Sequence, residues 1–184
     1  MMLKCENRVM EQLIVDEDVR LKPYYCPAGF LTVGVGRNLE GNGLSMGEML
    51  ALISGNPLRK KRFPPDYETL DGETLLMALI RDMKANGITR DEAMMLLRND
   101  IYQSDADLRR KVKWYDRAPE ELKEVLINMC FNMGIKTLLS FRNTLWYMGA
   151  GEYEKAATNM LKSRWARQVK GRALRLAERV RALK

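Results

Sequence analysis

Apolar side chains recur at three- and four-residue intervals through most of this chain, and the stretches where they do not mark its organisation. Residues 2–15 predict an amphipathic helix, with Leu3, Val9, Met10, Leu13 and Ile14 on one side and Lys4, Arg8, Glu11 and Gln12 on the other. After Asp16-Glu17 the pattern changes. Pro23, Pro27 and Gly29 interrupt helix, and Phe30-Leu-Thr-Val-Gly-Val is rich in β-formers, so residues 20–37 predict a small hairpin sheet. Ser45-Met-Gly-Glu48 has the form of a capping box and opens a short helix that stops at Gly55. The basic, proline-bearing stretch 56–65 predicts a loop, and Glu73 to Ala85 a second helix. Thr89-Arg-Asp-Glu92 is another capping box, opening a long helix to about Lys113 with a stripe of Ala93, Leu96, Leu97, Ile101 and Leu108. Beyond Pro119 everything predicts helix: Pro119–Asn132, a short turn after Gly134, Ser140–Met148, Glu152–Lys162 and Gln168–Leu183. The fold class is α+β and mostly α, with a small β-hairpin lobe and a larger helical lobe joined by a long helix. The first helix is expected to pack with the last ones, since neither end carries a strand pattern.

Composition narrows the chemistry. The 184 residues suffice for one ordinary domain or two small lobes, and an apolar fraction of 46% allows a real core. The net charge of +7 favours a polyanionic partner without choosing among nucleic acid, anionic lipid and acidic wall polymer. There is no histidine, which removes the commonest general base and metal ligand. Cys5, Cys26 and Cys130 have no metal-ligand spacing and cannot all pair within one chain, so reduced thiols and a cytosolic folding compartment are expected, with neither metal nor cofactor. Lys4, Glu6, Arg8 and Glu11 leave no apolar stretch for a signal peptide or membrane span at the start. A substrate outside the inner membrane would then require another protein to let this one out.

Glu17 falls where a helix gives way to a sheet, a common place for a group lining a cleft. Cys26 and Thr32 follow in the order acid, thiol, hydroxyl. Taken alone, this spacing favours a solvated helix-end carboxylate for Glu17 and an ordinary strand threonine for Thr32, with a packed cysteine as the alternative for Cys26. The wider segment Asp16-Glu-Asp-Val-Arg-Leu-Lys-Pro-Tyr-Tyr-Cys-Pro-Ala-Gly-Phe-Leu-Thr-Val-Gly-Val-Gly36, however, resembles the active-site segment of the T-even phage lysozyme family. That family shows Glu, eight residues, Asp or Cys, five residues, Thr, and Glu17, Cys26 and Thr32 match it without a gap. The resemblance continues through Gly87-Ile-Thr-Arg-Asp-Glu-Ala93, Leu126-Ile-Asn-Met-Cys-Phe-Asn-Met-Gly134, Ser140-Phe-Arg-Asn-Thr-Leu145 and Ala156-Ala-Thr-Asn-Met-Leu-Lys-Ser-Arg-Trp165. Residues 38–86 lack a good counterpart and are considerably longer here.

The resemblance implies a single lysozyme-like domain over 1–184, with a small lobe at 17–88 holding a helical insertion at about 38–86. An interlobe helix at 89–113 and a helical lobe from 1–16 and 114–184 complete it. It implies hydrolysis of the β-1,4 bond between N-acetylmuramic acid and N-acetylglucosamine in bacterial peptidoglycan, leading to host cell lysis. Breaking that bond needs a proton on the leaving oxygen and help for an oxocarbenium-like transition state. Glu17 is implied as the acid, which must hold its proton in the bound complex. Cys26 would either activate water or attack the sugar directly, and Thr32 would hold the water. Arg172 is implied to pair with Glu17, and Arg175, three residues on, with Asp16. The family pattern sets a histidine after the Thr-x-Gly-x-Gly strand against an aspartate on the interlobe helix. The matching positions here are Arg37 and Asp100, an exchange that would keep the tether and remove its sensitivity near neutral pH. Phe131, Asn132, Asn159 and Arg164 occupy substrate-contacting positions, with Asn143 and Thr144 weaker candidates.

Trp146 and Trp165 are expected in the core by their spacing, along with the methionine-rich run. Three other functions compete. A lytic transglycosylase would need Glu17 but no water activator, and a non-catalytic wall-binding protein would need none of the three. A nucleic-acid binder is permitted by Arg59-Lys-Lys-Arg62 and the basic C-terminal helix, but no aromatics are interleaved there, so no nucleic acid is expected. Those basic segments could instead meet an anionic wall or outer-membrane surface. The protein is expected to act as a monomer that folds in the host cytoplasm and reaches the periplasm through a separate membrane-permeabilising protein.

Overall fold

The computed structural model describes residues 5–40 and 43–183; the first residues of the helix expected over 2–15 lie outside them. The chain divides into two compact units, Glu17–Arg98 and the combination of Met1–Asp16 with Asn99–Lys184. They are described here as the smaller and the larger unit. The division falls inside a helix at Arg98 and again at the end of the first helix.

The smaller unit begins with the last residue of α1 (Glu6–Glu17). Asp18 ends that helix by adopting φ 65°, and its carboxylate accepts from the Val19 amide at 2.7 Å. The local hydrogen bond is what lets a short acidic residue occupy the left-handed region. The chain then forms an antiparallel sheet from β1 (Arg20–Tyr25), β2 (Leu31–Gly34) and β3 (Arg37–Asn38), in that order. Tyr24 lies opposite Thr32 and Tyr25 opposite Leu31, with an irregularity between Arg20 and Tyr24. The expected hairpin thus gains a third short strand, pairing Thr32 with Asn38 and Val33 with Arg37.

Residues beyond the sheet build most of this unit's core. The capping box at Ser45 forms as read, with reciprocal bonds to Glu48, and opens α2 (Met46–Ser54). The stretch expected as a loop instead holds α3 (Pro57–Lys60), started by the Asn56 side chain on the Arg59 amide and by Pro57 in the first turn. This short helix turns Arg59 inward, where it is 1% exposed. Its guanidinium donates to Asp82 at 2.8 Å, to the Leu52 and Gly87 carbonyls at 3.0 and 2.8 Å, and to Glu92. Arg62 also pairs with Asp82. Burial disfavours the Asp82 carboxylate, but hydrogen bonds from Arg62, Arg59 and Asn86 outweigh it and lower its pKa. The basic run is therefore partly an internal staple, and two of its four charges are neutralised. α4 (Gly72–Asn86) is capped by Asp71, and α5 (Arg90–Lys111) by the Thr89–Glu92 box, whose Glu92 also holds Arg59 and Asn56. Leu31, Val33 and Leu39 pack with Leu52, Ile53, Leu75, Leu79, Met83 and Leu96 in one cluster. The segment without a family counterpart is thus structural.

The larger unit is helical among its described residues: most of α1, the rest of α5, α6 (Glu120–Ser140), α7 (Arg142–Gly149), α8 (Tyr153–Leu161), α9 (Arg164–Val169) and α10 (Gly171–Arg181). Gly134, at φ 76° and ψ 155°, breaks α6 where the sequence reading ended one helix and began another. The helix expected over 168–183 is instead two, divided at Lys170 with φ 46°. Trp165 is buried, but Trp146 is 62% exposed, against expectation. At ~100° per residue, the buried face of α7 carries Thr144, Leu145 and Met148, and position 146 points away from it. Cys5 and Cys130 are buried, and burial pushes each thiol up to about 11.

Candidate active site

The three residues read as catalytic all belong to the smaller unit. Glu17 is half-buried at the end of α1, where the Asp18 turn stops the helix. The glycines of Thr32-Val-Gly34-Val-Gly36 explain the strand's punctuation. A Cβ at Gly36 would lie 3.5 Å from Glu17 Oε2, and one at Gly34 would lie 3.5 Å from the Ala93 Cβ on α5. Both have φ near 70°, a region costly for other residues. One glycine brings the strand against a helix and the next brings bare backbone against the carboxylate.

Cys26 ends β1's turn and is half-buried. Its amide donates to the Phe30 carbonyl at 3.0 Å, and the Gly29 amide donates to its carbonyl at 2.8 Å, closing a tight loop over Cys26-Pro-Ala-Gly-Phe30. Within that loop the backbone of Phe30, Ala28 and Gly29 favours the thiolate form of Cys26. Phe30 is the largest influence and outweighs the opposing desolvation, so the thiol titrates below its ordinary value. Thr32 adds to this. Its hydroxyl donates to the Phe30 carbonyl at 3.0 Å, and its presence beside Cys26 also favours the thiolate. Of the three cysteines, Cys26 alone has its thiolate favoured.

Tyr24 was not among the residues singled out from the sequence. It lies directly across from Thr32, and Cys26 follows it by two positions, just past the end of β1. The Arg20 guanidinium sits 4.4 Å from its ring centroid. Burial, more than any other influence, raises its hydroxyl's pKa. Arg20 opposes this, and Glu17, Cys26 and Asp18 add to it. Its place two residues before Cys26 was the available signal.

In the larger unit, Asp16 receives Arg175 and, at 3.3 Å, Arg172. Asn128, fully buried in α6, joins them: its amide nitrogen donates to Asp16 at 3.0 Å and its carbonyl oxygen accepts from Arg172 at 2.8 Å. The sequence reading missed Asn128, though a lone amide in an apolar helical run is a recognisable sign. Asn132 accepts from Trp165 Nε1 at 2.8 Å, and Asn159 accepts from the buried Thr144 hydroxyl at 2.7 Å. Phe131 is half-buried and Arg164 exposed. Arg37 is buried and held by Glu48 at 2.7 Å and the Gly43 carbonyl at 3.0 Å, partners the sequence reading did not include. No described group of acidic, cysteine or histidine residues could hold a metal ion.

Comparison with known proteins bears on the family of the chain. The family model described as phage lysozyme matches residues 15–182. The pre-baseplate central spike protein Gp5 of Enterobacteria phage T4 is 30% identical over 175 residues, covering 90% of this chain. The chain spans only 26% of that relative's length. With the family's pattern matched from the acid-bearing helix end to the last helix, the chain belongs to the phage lysozyme family.

Proposed function

We propose that this protein is a muramidase, hydrolysing the β-1,4 bond between N-acetylmuramic acid and N-acetylglucosamine in peptidoglycan. Family membership supports a peptidoglycan-lytic enzyme; the loop that favours the Cys26 thiolate, with Thr32 beside it, supports hydrolysis. In this reading Glu17 gives its proton to the glycosidic oxygen as the C1–O bond breaks. The Cys26 thiolate takes a proton from water, whose oxygen bonds to C1, and Thr32 orients that water. A transglycosylase has no use for a stabilised thiolate, since its product closes on the sugar's own hydroxyl. Phe131, Asn132, Asn159 and Arg164 are proposed substrate contacts. The protein acts as a monomer, with its excess positive charge favouring the anionic wall or outer-membrane surface, and reaches the periplasm through a separate membrane-permeabilising protein.

The test is digestion of purified peptidoglycan by the wild type and Glu17→Gln, with the product ends identified by mass. Reducing muramic acid ends are expected, and the variant should lose a factor of about 10²–10⁴ in rate while staying folded. Anhydro ends would make the enzyme a transglycosylase, and intact glycan would leave only binding. The likeness to a T4 spike protein supports a second reading for where the enzyme acts, as part of the phage particle. Mass spectrometry of purified particles distinguishes the two: its presence in stoichiometric amount favours the particle, its absence the lytic role.

A further inference from the structure

Resting on the muramidase reading, we infer that Tyr24 is a positioning residue of the reaction: its hydroxyl, on the residue paired with Thr32 and two positions before Cys26, orders the water that the thiolate activates. Three observations carry this. The cross-strand pairing sets Tyr24 and Thr32 side by side, at the separation where neighbouring side chains interact directly. Cys26 follows Tyr24 by two positions, just past the end of β1, where its amide continues the hairpin by donating to the Phe30 carbonyl at 3.0 Å. The Arg20 guanidinium over the ring, 4.4 Å from its centroid, fixes the ring plane and so the direction of the hydroxyl.

The electrostatics suit the task. The hydroxyl feels both the Glu17 carboxylate and the Cys26 thiolate, and its burial and these neighbours keep it protonated. A neutral phenol carries one donor and an acceptor, as a water bound near an acid and a base requires. Thr32 gives its proton to the Phe30 carbonyl and can meet that water only as an acceptor. Tyr24 supplies a second point of attachment. No proton is transferred to or from Tyr24 in the cycle, so it positions and does not act as acid or base.

Tyr24→Phe keeps the ring and the Arg20 contact and removes only the oxygen. The experiment measures kcat and KM on a soluble peptidoglycan fragment for the wild type and Tyr24→Phe, with the thermal midpoint of each. The expected result is a fall in kcat of at least tenfold, with KM and thermal midpoint unchanged. Alkylation of Cys26 by iodoacetamide as a function of pH gives a second readout: the variant's thiol should titrate higher, because an ordered donor near the thiolate is gone. Full kcat in the variant, a loss confined to KM, or a lost kcat with a lowered midpoint would each overturn the inference while leaving the hydrolase reading in place. A wild type that leaves the fragment uncut would instead overturn the hydrolase reading itself.

Discussion

In the proposed mechanism the Cys26 thiol serves as the base, a role that has a measurable signature. The active state pairs a protonated acid with an ionised base. Below both pKa values the base is protonated, and above both the acid has lost its proton. The rate therefore holds between the two values and falls above the higher one. In the wild type that upper limb belongs to the thiol, placed below an ordinary cysteine's by the backbone of Phe30, Ala28 and Gly29. Carboxyls titrate well below thiols, so Cys26→Asp should keep measurable activity and move the upper limb of the pH–rate profile down by about two units or more. An unmoved limb would remove Cys26 from the role of base. Glu17, Cys26 and Thr32 stood out as candidates only through the family resemblance, whose motif is local in sequence. Tyr24 and Asn128 did not stand out, because their importance arises from cross-strand and interhelical neighbours. A tyrosine in a strand and an asparagine in a helix have no periodicity of their own to announce such roles.

Among the elements, the short helix α3 carries more than its length suggests. Four consecutive basic residues read as a solvated loop, since charge runs usually are. The Asn56 cap and Pro57 instead wind one turn that delivers Arg59 to two carboxylates and two carbonyls. Removing one partner from such a buried set costs about 3–5 kcal/mol, because the other charges stay behind unpaired. Arg59→Lys should lose most of that, since an ammonium cannot reproduce the planar fork that reaches Leu52, Gly87, Asp82 and Glu92 together. Urea unfolding followed by circular dichroism would measure it; a midpoint within error of the wild type would mean the staple contributes nothing. The capping boxes at Ser45 and Thr89, the break at Gly134 and the order of the helices were readable from residue chemistry alone. The division between α9 and α10 was not: Lys170 occupies a left-handed conformation with no sequence mark, where glycine or asparagine would have given one.

At the scale of the whole molecule, a net charge of +7 spread among paired and exposed residues sets how the protein meets its polymer. Arg8, Arg37, Arg59, Arg172 and Arg179 are bound to acidic partners, so the attraction is diffuse and screened by salt. Raising ionic strength from low values to about 0.5 M should slow digestion of intact anionic walls several-fold and leave cleavage of a short neutral glycan unchanged. Equal slowing of both would place the salt effect at the reacting bond. The α+β class was readable because its alternation of periods is a global property of the chain. The contribution of residues 38–86 was not, because an insertion reads as an appendage until its apolar side chains are seen to meet Leu31 and Val33. That shared interior bears on recombination between relatives. Trimming the chain to a shorter member's length would hollow out the very body that carries the acid and the thiol. A working chimera must exchange Glu17–Arg98 whole, which makes that body, and not the loop, the portable piece of this enzyme.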